Sequence, residues 1–194
     1  MDHAEILEKL NSVTPHTCDN MDKATVAILE ILRYEYREKK IKFKYTNDEY
    51  GVAARVLHHK CGLKYAYDGD AGLDLPIVLS AETQEHGQVI WPGEREILHT
   101  GVIMEFPVGY WGRIIHRSST ERKSRLRVIE GVIDDYRGEI LIQVHNGNTS
   151  QAKVYHGNRL AQLIVHKTCS FICEPADELR PSNRGAKGFG SSGT

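Results

Sequence analysis

The chain has 194 residues, 40% of them hydrophobic, and a formal net charge of −1 from 25 basic and 26 acidic side chains mixed along most of its length. A chain of this size buries one good core, so one main domain is expected. The balanced charge argues against a general nucleic-acid or acidic-lipid binder, since either needs a sustained basic excess. The N-terminal "MDHAEILEKL" has acids where a secretory signal has basic residues, and no run approaches the ~20 apolar residues of a membrane span. The expectation is a soluble, cytoplasmic protein with neither a membrane nor a nucleic-acid partner. Cys18, Cys61, Cys169 and Cys173 are too few for a disulfide framework in a chain this long. Cys169 and Cys173 have three residues between them and no second pair nearby, so reduced, half-buried thiols are expected rather than a zinc site.

Residues 1–48 read as a helical N-terminal extension. "AEILEKL" carries a short apolar stripe. "NMDKATVAILEILRYEYREKK" starts at a candidate cap, Asn20 or Asp22, and repeats apolar residues at helical spacing through Val26, Ile28, Leu29, Ile31 and Leu32. The basic "REKKIKFKY" that follows reads as a solvated helix end whose cations oppose the C-terminal dipole. From about residue 50 to 175, β-rich runs alternate with turn signals: "AARVLHH", "GLKYAY", "LPIVLS", "GQVIWPG", "EREILHTGVIMEF", "GYWGRIIHR", "RLRVIEGVI", "EILIQVHN", "QAKVYHG", "RLAQLIVHK" and "SFICEP". Gly, Pro, Asn and Asp separate them at intervals of about ten residues, the spacing of an antiparallel sandwich or barrel. The fold class is therefore mainly β, with the β domain over 49–180. Residues 181–194 form a polar, glycine-rich tail that ends in "NRGAKGFGSSGT".

Most chemical motifs are absent or weak. No glycine stands at Walker distance before a "GK[ST]", and "GAKGFG" only partly mimics G-x-G-x-x-G, following no strand and opening no helix. His58–His59 reads as an exposed pair at the end of a strand. Ser118, Ser119 and Thr120 lack a G-x-S-x-G elbow and read as hydroxyl donors beside Arg117. The segment "GVIDDYRGEI", residues 131–140, is stronger. Gly131 and Gly138 read as the ends of a tight hairpin, and Asp134 follows the apolar pair Val132–Ile133, which would partly desolvate it. Carboxylates are ionised at neutral pH and can accept a proton from water. The same two acids would equally suit a plain turn.

Five segments occur in order: "DGDAGLDLP" (68–76), "HRSST" (116–120), "EGVIDDYRGEI" (130–140), "GNRLAQLIV" (157–165) and "RGAKGFGSSGT" (184–194). In order, spacing and residue type they resemble the five motifs of the dUTPase family, over about residues 50–194. The resemblance implies a jelly-roll-like antiparallel β barrel or sandwich, a homotrimer with three shared active sites, and Mg²⁺ on the triphosphate. Asp74 matches the acid that holds the metal through water, as suits an ion that dehydrates reluctantly. Arg117, Ser118 and Ser119 match the phosphate-binding motif, where a guanidinium fork and hydroxyls donate to one phosphate chain. Asp134 matches the residue that activates the attacking water. Tyr136 matches the ring that packs under deoxyribose, Gly131 and its neighbours the uracil-reading hairpin, and Gln162 the glutamine near the phosphates.

For the tail, the resemblance implies a strap that crosses to another subunit's site. Arg184 would meet the γ-phosphate, Ser191 and Ser192 would donate hydroxyls, and Phe189 would stack on the base. Ordering twelve flexible residues costs up to about 12–24 kcal/mol, which one stack of ~1–3 kcal/mol cannot offset. The tail is therefore expected to order only on a full triphosphate and to loosen once pyrophosphate forms. The implied reaction is hydrolysis of dUTP to dUMP and pyrophosphate. Some features depart from the family pattern. One residue, Asp135, separates Asp134 from Tyr136 where two are usual, which leaves Asp135 as a second candidate base. It also leaves open a preference for dTTP or a 5-substituted dUTP. Asn158 stands where an acid is usual and Lys187 where glycine is usual. Residues 1–48 are an addition to the core family, suited to packing or to docking a protein partner, and a nucleotide-responsive interaction module is the contrasting reading. The related dCTP deaminases use a glutamate five residues past the closing glycine of the third motif. Here that position is Gln143, whose amide cannot shuttle the proton deamination needs.

Overall fold

The computed structural model describes residues 25, 26, 28, 29, 32, 40–120, 124–169, 171–183, 185 and 186. Strands pair antiparallel throughout: β1 (Lys42–Tyr45) with β5 (Val102–Glu105), and β3 (Gln88–Ile90) with β10 (Ala152–Val154). A four-stranded sheet runs in the order β2 (Gly72–Pro76), β11 (Arg159–Lys167), β6 (Tyr110–His116), β8 (Gly131–Ile133). A three-stranded sheet runs β4 (Arg95–His99), β9 (Leu141–His145), β7 (Arg127–Val128). Within residues 40–120 lie the helices α1 (Glu49–Cys61) and the single turn α2 (Ala81–Gln84).

The core follows from period-two patterning. In β9, Ile142 and Val144 are fully buried while Leu141, Gln143 and His145 alternate outward. Leu75, Ile77, Ile90, Leu98, Met104, Leu126, Ile140 and Leu163 join them in one cluster drawn from every sheet. The mainly β class expected from the sequence is what forms.

Several local expectations are overturned. "AARVLHH" is helix, not strand. Asp48 caps α1 by accepting from Gly51 N at 3.0 Å and Thr46 Oγ1 at 2.5 Å, and Gly62 (φ +72°) ends it with its N–H on His58 O. A short apolar run cannot be told from a strand by periodicity alone, and the caps decide it. His58 is consequently not exposed; it shares the inner face with Ala54, while Val52 and Val56 face solvent. Residues 42–45, read as a charged helix end, form β1, because Ile41, Phe43 and Tyr45 alternate with Lys42 and Lys44. "GLKYAY" and residues 171–175 of "SFICEP" form no strand; Phe171 and Ile172 are 85% and 96% exposed, and Cys169 and Cys173 are exposed thiols rather than half-buried ones. Residues 25, 26, 28, 29 and 32 carry helical backbone; the remaining helical expectation for 1–39 lies outside the described residues. No helix among the described residues is long and apolar enough to cross a membrane.

Candidate active site

Asp74 is a buried carboxylate at the centre of a partly exposed charged cluster. Its carboxylate sits mid-strand in β2, opposite Gln162 of β11, and only 9% of its side chain is exposed. A buried carboxylate needs a partner, and this one has two. Arg117 Nε lies 2.7 Å from Oδ1 and Arg159 Nη1 3.5 Å from Oδ2. Arg117 follows β6, and its Nη1 also donates to the Arg159 carbonyl at 3.3 Å. Two guanidiniums on one carboxylate leave a net positive charge, with Arg donors still free to turn to an anion. Arg159 was not among the residues singled out from the sequence. An arginine at the head of a strand that pairs with one carrying a buried acid is the signal that could have found it.

The hydroxyl cluster beside Arg117 divides. Thr120 is buried and its Oγ1 donates to Leu160 O at 2.6 Å, while its N–H bonds to Arg117 O at 2.9 Å. Thr120 therefore pins the turn onto β11. Ser118 is exposed and Ser119 half-buried, with no partner for either hydroxyl among the described residues. Gln162 Nε2 donates to His116 O at 3.2 Å. Gly72 makes room for it, since a Cβ there would fall 2.1 Å from Gln162 Oε1. Asn158 serves a turn, its Oδ1 accepting from Tyr155 N at 3.0 Å beside Gly157 (φ +80°).

Residues 134–140 are not a hairpin. β8 belongs to the four-stranded sheet and β9 to the three-stranded one, so this segment crosses between sheets. Gly131 is an ordinary strand residue with no close neighbour at its Cβ position, whereas a Cβ on Gly138 would meet Tyr136 Oη at 2.1 Å. The Tyr136 ring therefore folds back over Gly138. Asp134 is exposed rather than partly desolvated, and its Oδ1 accepts from Asp135 N at 2.7 Å. Asp135 turns away to pair with Arg137 at 2.8 Å.

The two halves are far apart within one chain. Register pairs Gly112 with Ile133 and Ile114 with Gly131, so Asp134 follows the β8 end that lies beside Trp111. Arg117 stands at the other end of β6, roughly 20 Å away at about 3.3 Å per residue. Arg184, Phe189, Ser191, Ser192 and Lys187 lie outside the described residues. Among the described residues, no three His, Cys, Asp or Glu side chains gather to hold a metal. Asp74 alone fits a water-mediated contact. Both its oxygens are engaged, but a carboxylate has about four acceptor sites, and a magnesium ion on a triphosphate needs only one or two carboxylates from the protein.

This is a β-sheet protein with an aspartate ion-paired to two arginines at one strand end and an exposed carboxylate on a crossover loop at the other. The family model for dUTPase matches residues 60–193. The deoxyuridine 5'-triphosphate nucleotidohydrolase of Leifsonia xyli subsp. xyli (strain CTCB07) is 41% identical over 133 residues, 66% of this chain and 83% of that protein. That of Tropheryma whipplei (strain Twist) is 38% identical over 132 residues, 66% of this chain and 86% of the relative. Among solved structures, the Staphylococcus bacteriophage 80alpha dUTPase with dUpNHpp aligns with a TM-score of 0.64 at 23% identity, over 81% of this chain and 99% of that one. A mutant dUTPase from phage phi11 of S. aureus, described with a structural Mg(II) ion, aligns at 0.59 with 19% identity, over 73% of this chain and 99% of that one. The chain belongs to the dUTPase family.

Proposed function

We propose that the protein hydrolyses dUTP to dUMP and pyrophosphate in sites shared between copies of the chain. The observation that carries the shared site is the β6 register, which separates Arg117 from Asp134 by the length of a strand. A base and a phosphate clamp about 20 Å apart cannot act on one α-phosphate, because catalytic contacts are made at ~3 Å. A homotrimer, the assembly the family resemblance implies, supplies Asp134 from a neighbouring copy.

In this reading Arg117, with Ser118 and Ser119, takes the phosphate chain. The free serine hydroxyls and the guanidinium face donate charge-assisted bonds. Asp74 holds Arg117 and Arg159 in place, so that little reorganisation accompanies binding. Gln162 closes the phosphate side. Mg²⁺, held on the triphosphate and contacting Asp74 through water, would supply charge neutralisation when bound. Asp134 of the neighbouring copy orients the water and accepts its proton, and Tyr136 packs against the sugar and leaves no room for a 2′-hydroxyl. Arg184, Phe189, Ser191 and Ser192 cover the nucleotide from the tail. The pyrophosphate leaves with the bond between the α-phosphorus and the bridging oxygen, and water contributes the new oxygen of dUMP.

The test has two parts. Pyrophosphate release over a panel of deoxynucleoside triphosphates should be confined to dUTP; release from dTTP at a similar rate would instead favour the relaxed base preference that the shortened third motif leaves open. Mixing inactive Arg117→Ala and Asp134→Ala chains under subunit exchange should restore activity, because some sites then receive both intact residues. If no activity returns from chains shown to have exchanged, the site is not shared.

A further inference from the structure

β1 and nearly all of α1 precede residue 60, where the family match begins, yet both reach the crossover loop that carries Asp134 and Tyr136. α1 comes as close to the β4–β5 turn as main chain permits. A Cβ on Gly101 would fall 2.4 Å from Tyr50 O and 2.6 Å from Ala54 Cβ. Gly101 also has φ +67°, so shape and conformation both demand glycine there. Thr46 N donates to Gly101 O at 3.0 Å.

On that platform the Tyr50 ring stacks on His99, with centroids 3.7 Å apart and planes 7° from parallel. His99 Nδ1 lies 2.9 Å from Glu139 Oε2. Glu139 Oε1 accepts from Thr100 N at 3.1 Å and Gly101 N at 2.7 Å. Its side chain is 13% exposed, and a buried carboxylate held by several donors is strongly fixed. Glu139 immediately follows Gly138, over which the Tyr136 ring folds. A second contact runs beside it: Arg137 shares a groove of about 350 Å³ with Lys42, Phe43 and Lys44 of β1 and Met104 of β5.

We propose that Tyr50, His99 and Glu139 are positioning residues that fix the 134–138 crossover, so that the N-terminal elements set how tightly and how selectively the loop grips the nucleotide base. The proposal rests on the dUTP-hydrolysis reading for its kinetic arm and not for its structural arm. None of the three needs to touch substrate. Tyr50 acts through His99, His99 through Glu139, and Glu139 through the backbone on which Asp134 and Tyr136 ride.

The test compares Tyr50→Ala, Tyr50→Phe and Val52→Ala by amide hydrogen exchange and by steady-state kinetics. Val52 lies on the same helix, 65% exposed. Tyr50→Ala should speed exchange across residues 134–140 by about three- to tenfold, the worth of one aromatic stack. It should raise KM for dUTP by a similar factor, lower kcat less, and narrow the preference for dUTP over dTTP. Tyr50→Phe should restore all three, and Val52→Ala should change none. Glu139→Gln, which keeps an acceptor for the two turn amides but loses the charge facing His99, should shift the same quantities in the same direction and decides the matter if Tyr50→Ala does not fold. Faster exchange confined to α1, with 134–140 unchanged, would overturn the proposal. If the native enzyme released no pyrophosphate from dUTP, the functional reading would fail while the exchange result still judged the clamp.

Discussion

At one end of β6 three charged side chains are already committed to one another; at the other Asp134 and Tyr136 face solvent. Buried Asp74 pairs with the partly exposed Arg117 and Arg159, with Gln162 and Thr120 bonded to backbone beside them. Among the described residues Asp134 bonds to the next residue's amide alone, and Tyr136 is 52% exposed. In the proposed reading the Asp74 end takes the phosphate chain, which carries most of the substrate's charge and gains from donors fixed in advance. A base and a sugar ring need a surface that closes on them, and in the proposed shared site a neighbouring copy would complete that surface.

Substitutions at the two ends should therefore fail differently. Asp134→Ala should lower kcat by about 10²–10⁴-fold, with nucleotide binding retained and stability changed by no more than about 0.5 kcal/mol. Pyrophosphate release and thermal unfolding measure the two parts. A near-normal rate would shift the base to Asp135. Asp74→Ala should do the opposite in kind. It strips two guanidiniums of their counterion and should cost about 1.5–3 kcal/mol of stability, with kcat/KM falling by about 10–100-fold, the same energy expressed on binding. A stable Asp74→Ala protein with an intact unfolding midpoint would show that the arginines are held some other way, and the contrast between the ends would weaken.

How legible this was in the sequence also divides between the ends. Asp74, Arg117, Ser118, Ser119 and Gln162 were singled out through the motifs that resemble the family's, and the structure gathers Asp74, Arg117 and Gln162 around the paired strands β2, β11 and β6. Arg159 was missed because its role comes from the cross-strand register of β2 with β11, which no local pattern reveals. The 131–140 segment was misread for a related reason. Its glycines and acids announce a turn, but turn chemistry does not say which strands flank it, and β8 and β9 turn out to belong to different sheets. α1 was hidden by inverted patterning, with Val52 and Val56 outside and His58 inside. A helix that buries a histidine and exposes two valines shows neither period clearly.

That buried histidine separates the ends by pH. Both ring nitrogens of His58 are buried without a hydrogen-bond partner in the described structure, and burial holds its pKa below the usual histidine value. Burial, with Lys60 second, does the same to His156. The folded protein therefore resists a proton that the unfolded chain accepts near pH ~6.5. The stability these groups contribute is complete above that pH and is lost as pH falls from it toward the folded values, by at most about 1.4 kcal/mol per pH unit for each group. The unfolding midpoint should drop between pH 7 and 5, and His58→Leu should flatten part of that slope. Since His58 lies on α1 against Tyr45 of β1, with ring centroids 5.6 Å apart, acid should speed exchange in α1 before it disturbs the Asp74 triad. Equal slopes for both proteins would mean that the histidine is protonated in place without cost.

The smallest expected effect is also the most local. Gly72 stands in β2, two residues before Asp74, and is glycine for a reason of space alone. Its φ is not in the left-handed region, but a Cβ would fall 2.1 Å from Gln162 Oε1 and 2.7 Å from its Cδ. The glutamine is a flexible side chain, so Gly72→Ala should push it aside rather than unfold the sheet, breaking its 3.2 Å bond to His116 O. A neutral hydrogen bond is worth about 0.5–1.5 kcal/mol, so triphosphate affinity should fall by about two- to tenfold with the Asp134-dependent step left intact. Gln162→Ala should reproduce that loss, and the double variant should add nothing, since both remove one contact. Additive losses would show that Gly72 shapes the Asp74 end through something other than Gln162.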